Sequence, residues 1–190
     1  MLTENLQITT MTVDTKIQNI SFNEKELTPC IIEKFKDIVN NSSDKNILKI
    51  SSNFIDPDII SEELQKKTDE KNIENEQNAD VKRRGRKKKD ITQYYVRPRK
   101  KQGTGKHFNS QITFMIKSFV IPNKIYNIKL FRTGSIGVPG INSLDDIHNV
   151  LMYLVDKLKY VFSNNNLTLL SVNPKMINYK TFFIVEKDYI

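Results

Sequence analysis

Cysteine occurs once, at Cys30, and histidine only twice, at His107 and His148. A single thiol excludes an internal disulfide and any cysteine-rich zinc site, and two histidines leave no conventional metal cluster. One reduced thiol fits an intracellular protein. No apolar run approaches the roughly 18 residues of a membrane span. The amino terminus, MLTENLQITT, carries neither the basic region nor the apolar stretch of a signal peptide, so a soluble, non-secreted chain is expected. Also missing are a Ser/His/Asp order, a P-loop, a glycine-rich dinucleotide turn and metal-spaced ligands. Asp145 and Asp146, the one conspicuous acidic pair, read as helix N-terminal acids. The chain is therefore expected to be no enzyme and to need no cofactor or metal.

What is abundant is charge, and it is segregated. The 190 residues carry 30 Lys and Arg against 22 Asp and Glu, a net charge of +8. Twelve of the basic residues and one acid, Asp90, lie between Lys82 and Lys106, giving that segment +11 and the remainder −3. Just before it, 56–80 holds nine acids, three lysines and few apolar residues. Such a composition does not build a packed core by itself. The segment 52–105 is thus expected to be one acidic-then-basic insertion, disordered or partly helical. It divides the folded sequence into 1–51 and 106–190.

On either side the hydrophobic periodicity is clear. The stretch 6–17 alternates threonine with apolar residues as a half-buried strand does. Leu27, Ile31, Ile32, Phe35, Ile38 and Val39 mark an amphipathic helix ending near Asn40, with Ser21 or Asn23 as its cap. A short strand over 46–51 precedes the insertion. After it, 108–118, 126–132 and 136–140 form a three-stranded antiparallel meander, with Thr133, Gly134 and Ser135 at a tight turn. Ser143 then caps a long helix whose face carries Leu144, Ile147, Val150, Leu151, Leu154, Val155, Leu158 and Phe162. Two further strands are expected over 167–172 and 175–185.

An antiparallel sheet with two helices on one face leaves its other face open. If Ile136 and Val138 face the helices, then Phe131, Thr133, Ser135, Gly137 and Pro139 share the open face. Phe108, Ser110 and Ile112 form the comparable set on the preceding strand. Aromatics on such a face serve either as wedges between base steps in a widened minor groove or as stacking platforms for single strands. The plainer reading is that they belong to the core.

The segment YNIKLFRTGSIGVPGINSLDDIHNVLMYLVDKL resembles the signature of one repeat of the TATA-box-binding-protein family. An aromatic strand end, a tight turn, a short strand and a long helix with an acidic start follow one another in that order. LQITTMTV and KHFNSQITFMI add to the likeness, which is above all to the divergent members found in large DNA viruses and covers most of 5–50 and 106–185. The resemblance implies an α+β fold, a TATA-binding-like curved antiparallel sheet with two helices on its convex face, interrupted by the charged insertion.

It further implies a transcription initiation factor that docks its concave sheet in an A·T-rich minor groove. Phe131 and Phe108 fall on the kinking aromatic pair. Thr133, Ser135, Gly137 and Pro139 fall on groove-facing positions, Thr10 or Thr12 on the first-strand asparagine, and Asn178 on its counterpart at the opening of a second repeat. Pro139 replaces a threonine, Gly137 a valine and a threonine the first asparagine, which weakens base-edge contacts.

The family's saddle needs two repeats, and this sequence carries one and the start of another. Truncation, a homodimer completing the saddle and use of half a saddle are the three alternatives. The partners implied are double-stranded DNA and transcription factors or RNA polymerase, without a membrane, in the nucleus or in the factory or virion of a large DNA virus.

Within the basic segment, KRRGRKKK places Gly85 between arginines as an AT-hook does, which would lay Arg83, Arg84, Arg86, Lys87, Lys88 and Lys89 along a minor groove or its phosphates. A nuclear-import signal or plain phosphate-binding arm is the simpler alternative. The rival to the DNA-binding reading is an interaction module: a TATA-binding-like shell whose convex helix recruits transcription proteins and which touches nucleic acid only through this arm.

Overall fold

The computed structural model describes residues 7–22, 27–41, 43–52, 55–77 and 111–180. In chain order the elements are β1 (Gln7–Gln18), α1 (Pro29–Asn40), β2 (Ile47–Ser52), β3 (Ile55–Ile60), α2 (Glu62–Gln77), β4 (Gln111–Lys117), β5 (Ile125–Phe131), β6 (Ser135–Ile141), α3 (Leu144–Phe162), β7 (Thr168–Leu169) and β8 (Asn173–Lys180). The strands make one antiparallel sheet in the order β3-β2-β4-β5-β6-β1, and both β7 and β8 pair with the far side of β1. The fold is α+β, as the sequence predicts.

Strand alternation decides which side chains meet the helices. On β4 Ile112, Phe114 and Ile116 point to one face, paired across to Leu130, Ile128 and Tyr126 of β5. Ile136 and Val138 of β6 and Met11, Val13 and Ile17 of β1 continue that layer. Against it pack Phe35, Ile38 and Val39 of α1 and the stripe from Ile147 to Val161 on α3. Rings lock the two helices together: Phe35 meets Phe162 edge-on at 6.1 Å, and Lys34 donates to Ser163 Oγ at 2.7 Å.

α3 starts as expected, with Ser143 Oγ accepting from the Asp146 amide. α1 starts later than the sequence reading put it. Its cap is Thr28, with no side-chain cap bond and Pro29 at the first helical turn, because Ile20, Phe22 and Leu27 are first drawn into the core.

The first section of the insertion, 55–77, takes the helical alternative of the two expected and adds a strand that was not expected. Ile55 and Ile59 of β3 join the main core, and Asp58 pairs with Lys49 at 2.9 Å, so few apolar residues suffice when they sit at the right register. The basic stretch of the insertion lies outside the described residues.

α2 corresponds to the partly helical alternative for this segment. Leu64 packs with Leu48 and Met115 in a second small cluster, flanked by Ile60 and Ile125. Met115 alternates with Phe114 and Ile116, so this cluster is on the face of the sheet opposite α1 and α3. Glu63 anchors the same turn, accepting from Lys117 Nζ and Lys67 Nζ, each at 2.7 Å.

Candidate nucleic-acid interface

The face left open by α1 and α3 is mapped by the register. On β6 Ser135, Gly137 and Pro139 alternate with the buried Ile136 and Val138. Across from them on β1 stand Lys16, Asp14 and Thr12, directly paired in that order. On the other side, Lys129 of β5 lies opposite both Gly137 and Thr113 of β4, and Phe131 lies opposite Gln111. β8 extends the face beyond β1, with Asn178 opposite Thr10 and Met176 opposite Thr12.

The structure brings most of the expected residues together. Asn178 Nδ2 donates to Thr10 Oγ1 at 3.0 Å, and Thr9 Oγ1 donates to the Asn178 carbonyl at 3.0 Å. Of the two threonines considered for the first-strand position, Thr10 is thus the one that meets Asn178. Thr133 and Ser135 hydroxyls lie 3.3 Å apart, both exposed, at the turn between β5 and β6. Phe131 is half-buried at the end of β5, on the rim of the face.

That turn is fixed by Gly134. Its φ of +83° favours glycine, and a Cβ there would lie 2.3 Å from the Ile17 carbonyl oxygen. The close approach lets Ile17 N donate to the Gly134 carbonyl at 2.8 Å, which ties the turn to β1 and sets Phe131 beside the face.

One expectation is corrected. Ile112 does not share the open face; it is fully buried, in phase with Phe114 and Ile116, because its partner Leu130 faces the helices. Gln111 and Thr113 take that place on β4. Phe108 and Ser110 lie outside the described residues, as do Arg83, Arg84, Arg86, Lys87, Lys88 and Lys89.

Several residues of the face were missed by the sequence reading: Asp14, Lys16, Lys129, Lys175 and Met176. Lys175 Nζ bonds Asp14 Oδ2 at 2.6 Å, joining β8 to β1 by an ion pair on the surface. The parity that singled out Phe131 would have found Lys129 two residues earlier, and the parity of Thr12 would have found Asp14 and Lys16.

The open face is not bare along its whole length. The first turns of α2 cover its β2 and β4 side around Met115, and between α2 and the loop 118–124 runs a cleft of about 460 Å³. The part left uncovered spans β5, β6, β1 and β8, where small uncharged side chains are interspersed with Asp14, Lys16, Lys129 and Lys175. Among the described residues no group of three or more His, Cys, Asp or Glu could hold a metal ion. No described helix is long and apolar enough to cross a membrane.

No family model matches the chain, and no solved structure does. Among the curated proteins similar to it are two from large DNA viruses. A "TATA-box-binding protein-like" protein of Acanthamoeba polyphaga mimivirus is 29% identical over 93 residues, 42% of this chain and 25% of its own length. pB263R of African swine fever virus, by its name a proposed TATA-binding protein, is 34% identical over 87 residues, 44% of this chain and 32% of its own. The chain therefore spans about a quarter to a third of the length of these relatives. Over a little under half of its residues, this α+β chain resembles the divergent TATA-box-binding-protein-like proteins of large DNA viruses.

Proposed function

We propose that the chain is a non-catalytic, DNA-binding transcription initiation factor acting inside an infected cell, in the nucleus or a viral factory. Its open face docks in an A·T-rich minor groove, Phe131 with Phe108 as its partner wedges a base step, and the basic segment 82–106 contacts phosphates. The observation that carries this reading is the grouping of Thr10, Thr12, Ser135, Gly137, Pro139 and Asn178 on one face, with Phe131 at its rim. Small hydroxyl and amide side chains on a strand surface suit the acceptor-only edge that A·T pairs present in the minor groove. Other transcription proteins or RNA polymerase would then meet the outer surfaces of α1 and α3, and a second copy would complete a saddle.

The test is binding and bending of A·T-rich and G·C-rich duplexes at two salt concentrations, by the intact chain and by one lacking 82–106. A·T-selective bending that survives high salt and the deletion, and that falls with Phe131→Ala, supports the reading. Binding lost entirely with the arm overturns it.

That second outcome belongs to the rival reading, an interaction module touching nucleic acid through its basic arm alone. Two observations favour it: α2 lies on part of the open face, and Asp14 puts a carboxylate among the residues that would meet a polyanion.

A further inference from the structure

Asp14 is the only acid in β1, β5, β6 and β8, the strands that make the uncovered part of the open face. A carboxylate there is at odds with a surface for a purely A·T-rich groove. Adenine N3 and thymine O2 are both acceptors, and each would repel it without compensation.

Its surroundings suggest a use. Oδ2 is engaged by Lys175 Nζ at 2.6 Å, so the pair as a whole is neutral and the repulsion from phosphates is offset. Oδ1 is directed towards Gly137, the residue opposite Asp14 in the register. Gly137 has no side chain, and even a Cβ built there would stop 3.8 Å from Oδ1, in ordinary contact. An acceptor oxygen is thus presented beside a gap in the row of side chains, open to the groove. The residues around it, Thr12, Ser135 and Lys16, all carry hydrogen-bond donors.

Of the four base pairs, only G·C offers a donor in the minor groove, the guanine N2 amino group. An acceptor set within a field of donors has one complement in that groove: a single G·C pair within an otherwise A·T-rich site. We propose that Asp14 is a specificity-determining residue, its Oδ1 accepting from the guanine N2 amino group at one fixed step. Lys175 is its positioning partner. Gly137 leaves room for the base edge. This inference rests on the DNA-binding reading given above.

The experiment selects sites from randomised duplexes with the full chain and then replaces the selected guanine by inosine, which lacks only the N2 amino group. The expected result is an A·T-rich site with one invariant G·C pair. Inosine there should weaken binding about tenfold, the scale of one hydrogen bond to a charged group. Asp14→Ala should bind the guanine and inosine duplexes equally. Asp14→Asn, whose amide oxygen still accepts and whose shape is conserved, should keep part of the preference.

A wild-type site with no fixed G·C pair overturns the inference, as does an inosine penalty that persists in Asp14→Ala. So does uniform tightening of Asp14→Ala on every duplex, which would make Asp14 merely repulsive. If neither the wild type nor Asp14→Ala shows salt-resistant minor-groove binding to any duplex, it is the DNA-binding reading that has failed.

Discussion

Asp146 sits in the first turn of α3 with no solvent exposure and accepts hydrogen bonds from three groups outside its own helix. Tyr126 Oη donates at 2.7 Å, Ser118 Oγ at 2.5 Å and the Phe119 amide at 3.1 Å. The helix N-terminal role read from the sequence is therefore only part of its work, for it also pins the β4–β5 loop and the core tyrosine to α3. Burial, and then the hydrogen bond to Asp146, push the Tyr126 hydroxyl well above its ordinary range. Replacing Asp146 by alanine leaves three donors without an acceptor and should cost about 3 kcal/mol or more, measurable by urea denaturation. Phe131→Ala, at a half-buried rim position, should cost under about 1.5 kcal/mol in the same assay while abolishing DNA bending. At this scale the sequence was most legible where alternation and motif agreed, as at Ser135, Gly137 and Pro139. It was least legible where a charged residue shared the parity of a face but belonged to no motif, as with Asp14 and Lys129.

Among elements, α2 was the least sharply expected, as one of two alternatives for the charged segment. Its composition gives no apolar stripe, so periodicity had nothing to detect. What holds the described part of the helix is one leucine, Leu64, seated against Leu48 and Met115, with the Glu63–Lys117 ion pair beside it. The meander and α3 were legible because each buries a continuous stripe, whereas the described side chains of α2 bury only Leu64, near its start, and Thr68. Such an attachment is weak, and it lies on the face proposed for DNA. Leu64→Asp should release α2, seen as faster amide exchange over 62–70, and should raise affinity for duplex DNA severalfold by uncovering the face and removing a net acidic helix. Unchanged affinity in a variant that does release the helix would mean that α2 and DNA do not compete.

The attachment also depends on pH. The hydrogen bond from Lys117, and secondarily that from Lys67, hold the Glu63 carboxyl below its ordinary value of 4.5. A carboxylate with a depressed folded value contributes stability that is complete above pH 4.5 and is lost as pH falls through the folded value. Because the pair is about a third exposed, that contribution is no more than about 1 kcal/mol. Amide exchange in α2 should therefore speed up, after correction for intrinsic rates, between pH 5 and pH 3. Lys117→Met should remove most of that change.

Across the whole sequence, charge is segregated. The segment 82–106 carries +11, while the rest of the chain sums to −3. If the chain binds DNA as proposed, energy drawn from the arm is mainly electrostatic and energy drawn from the sheet is less so. If the arm meets six phosphates, deleting it should flatten the dependence of log K on log salt by about 5 units. Any residual, nearly salt-independent affinity then belongs to the face. How α2 would lie across that face was not legible from composition, because opposite-charge blocks read alike whether they extend into solvent or fold back onto the sheet.

β1 pairs with β6 along one edge and with β7 and β8 along the other. The bond that its Thr10 accepts from Asn178 spans 168 residues. β1 is therefore made well before the strands that pair with it: β6 begins at Ser135, and β8, on the other edge, runs to Lys180. At the usual 5–20 residues per second, that is a wait of roughly 6 to 35 seconds with a threonine-rich, β-prone edge exposed. The second edge of β1 is thus closed by β8, the most distant in sequence of its described partners.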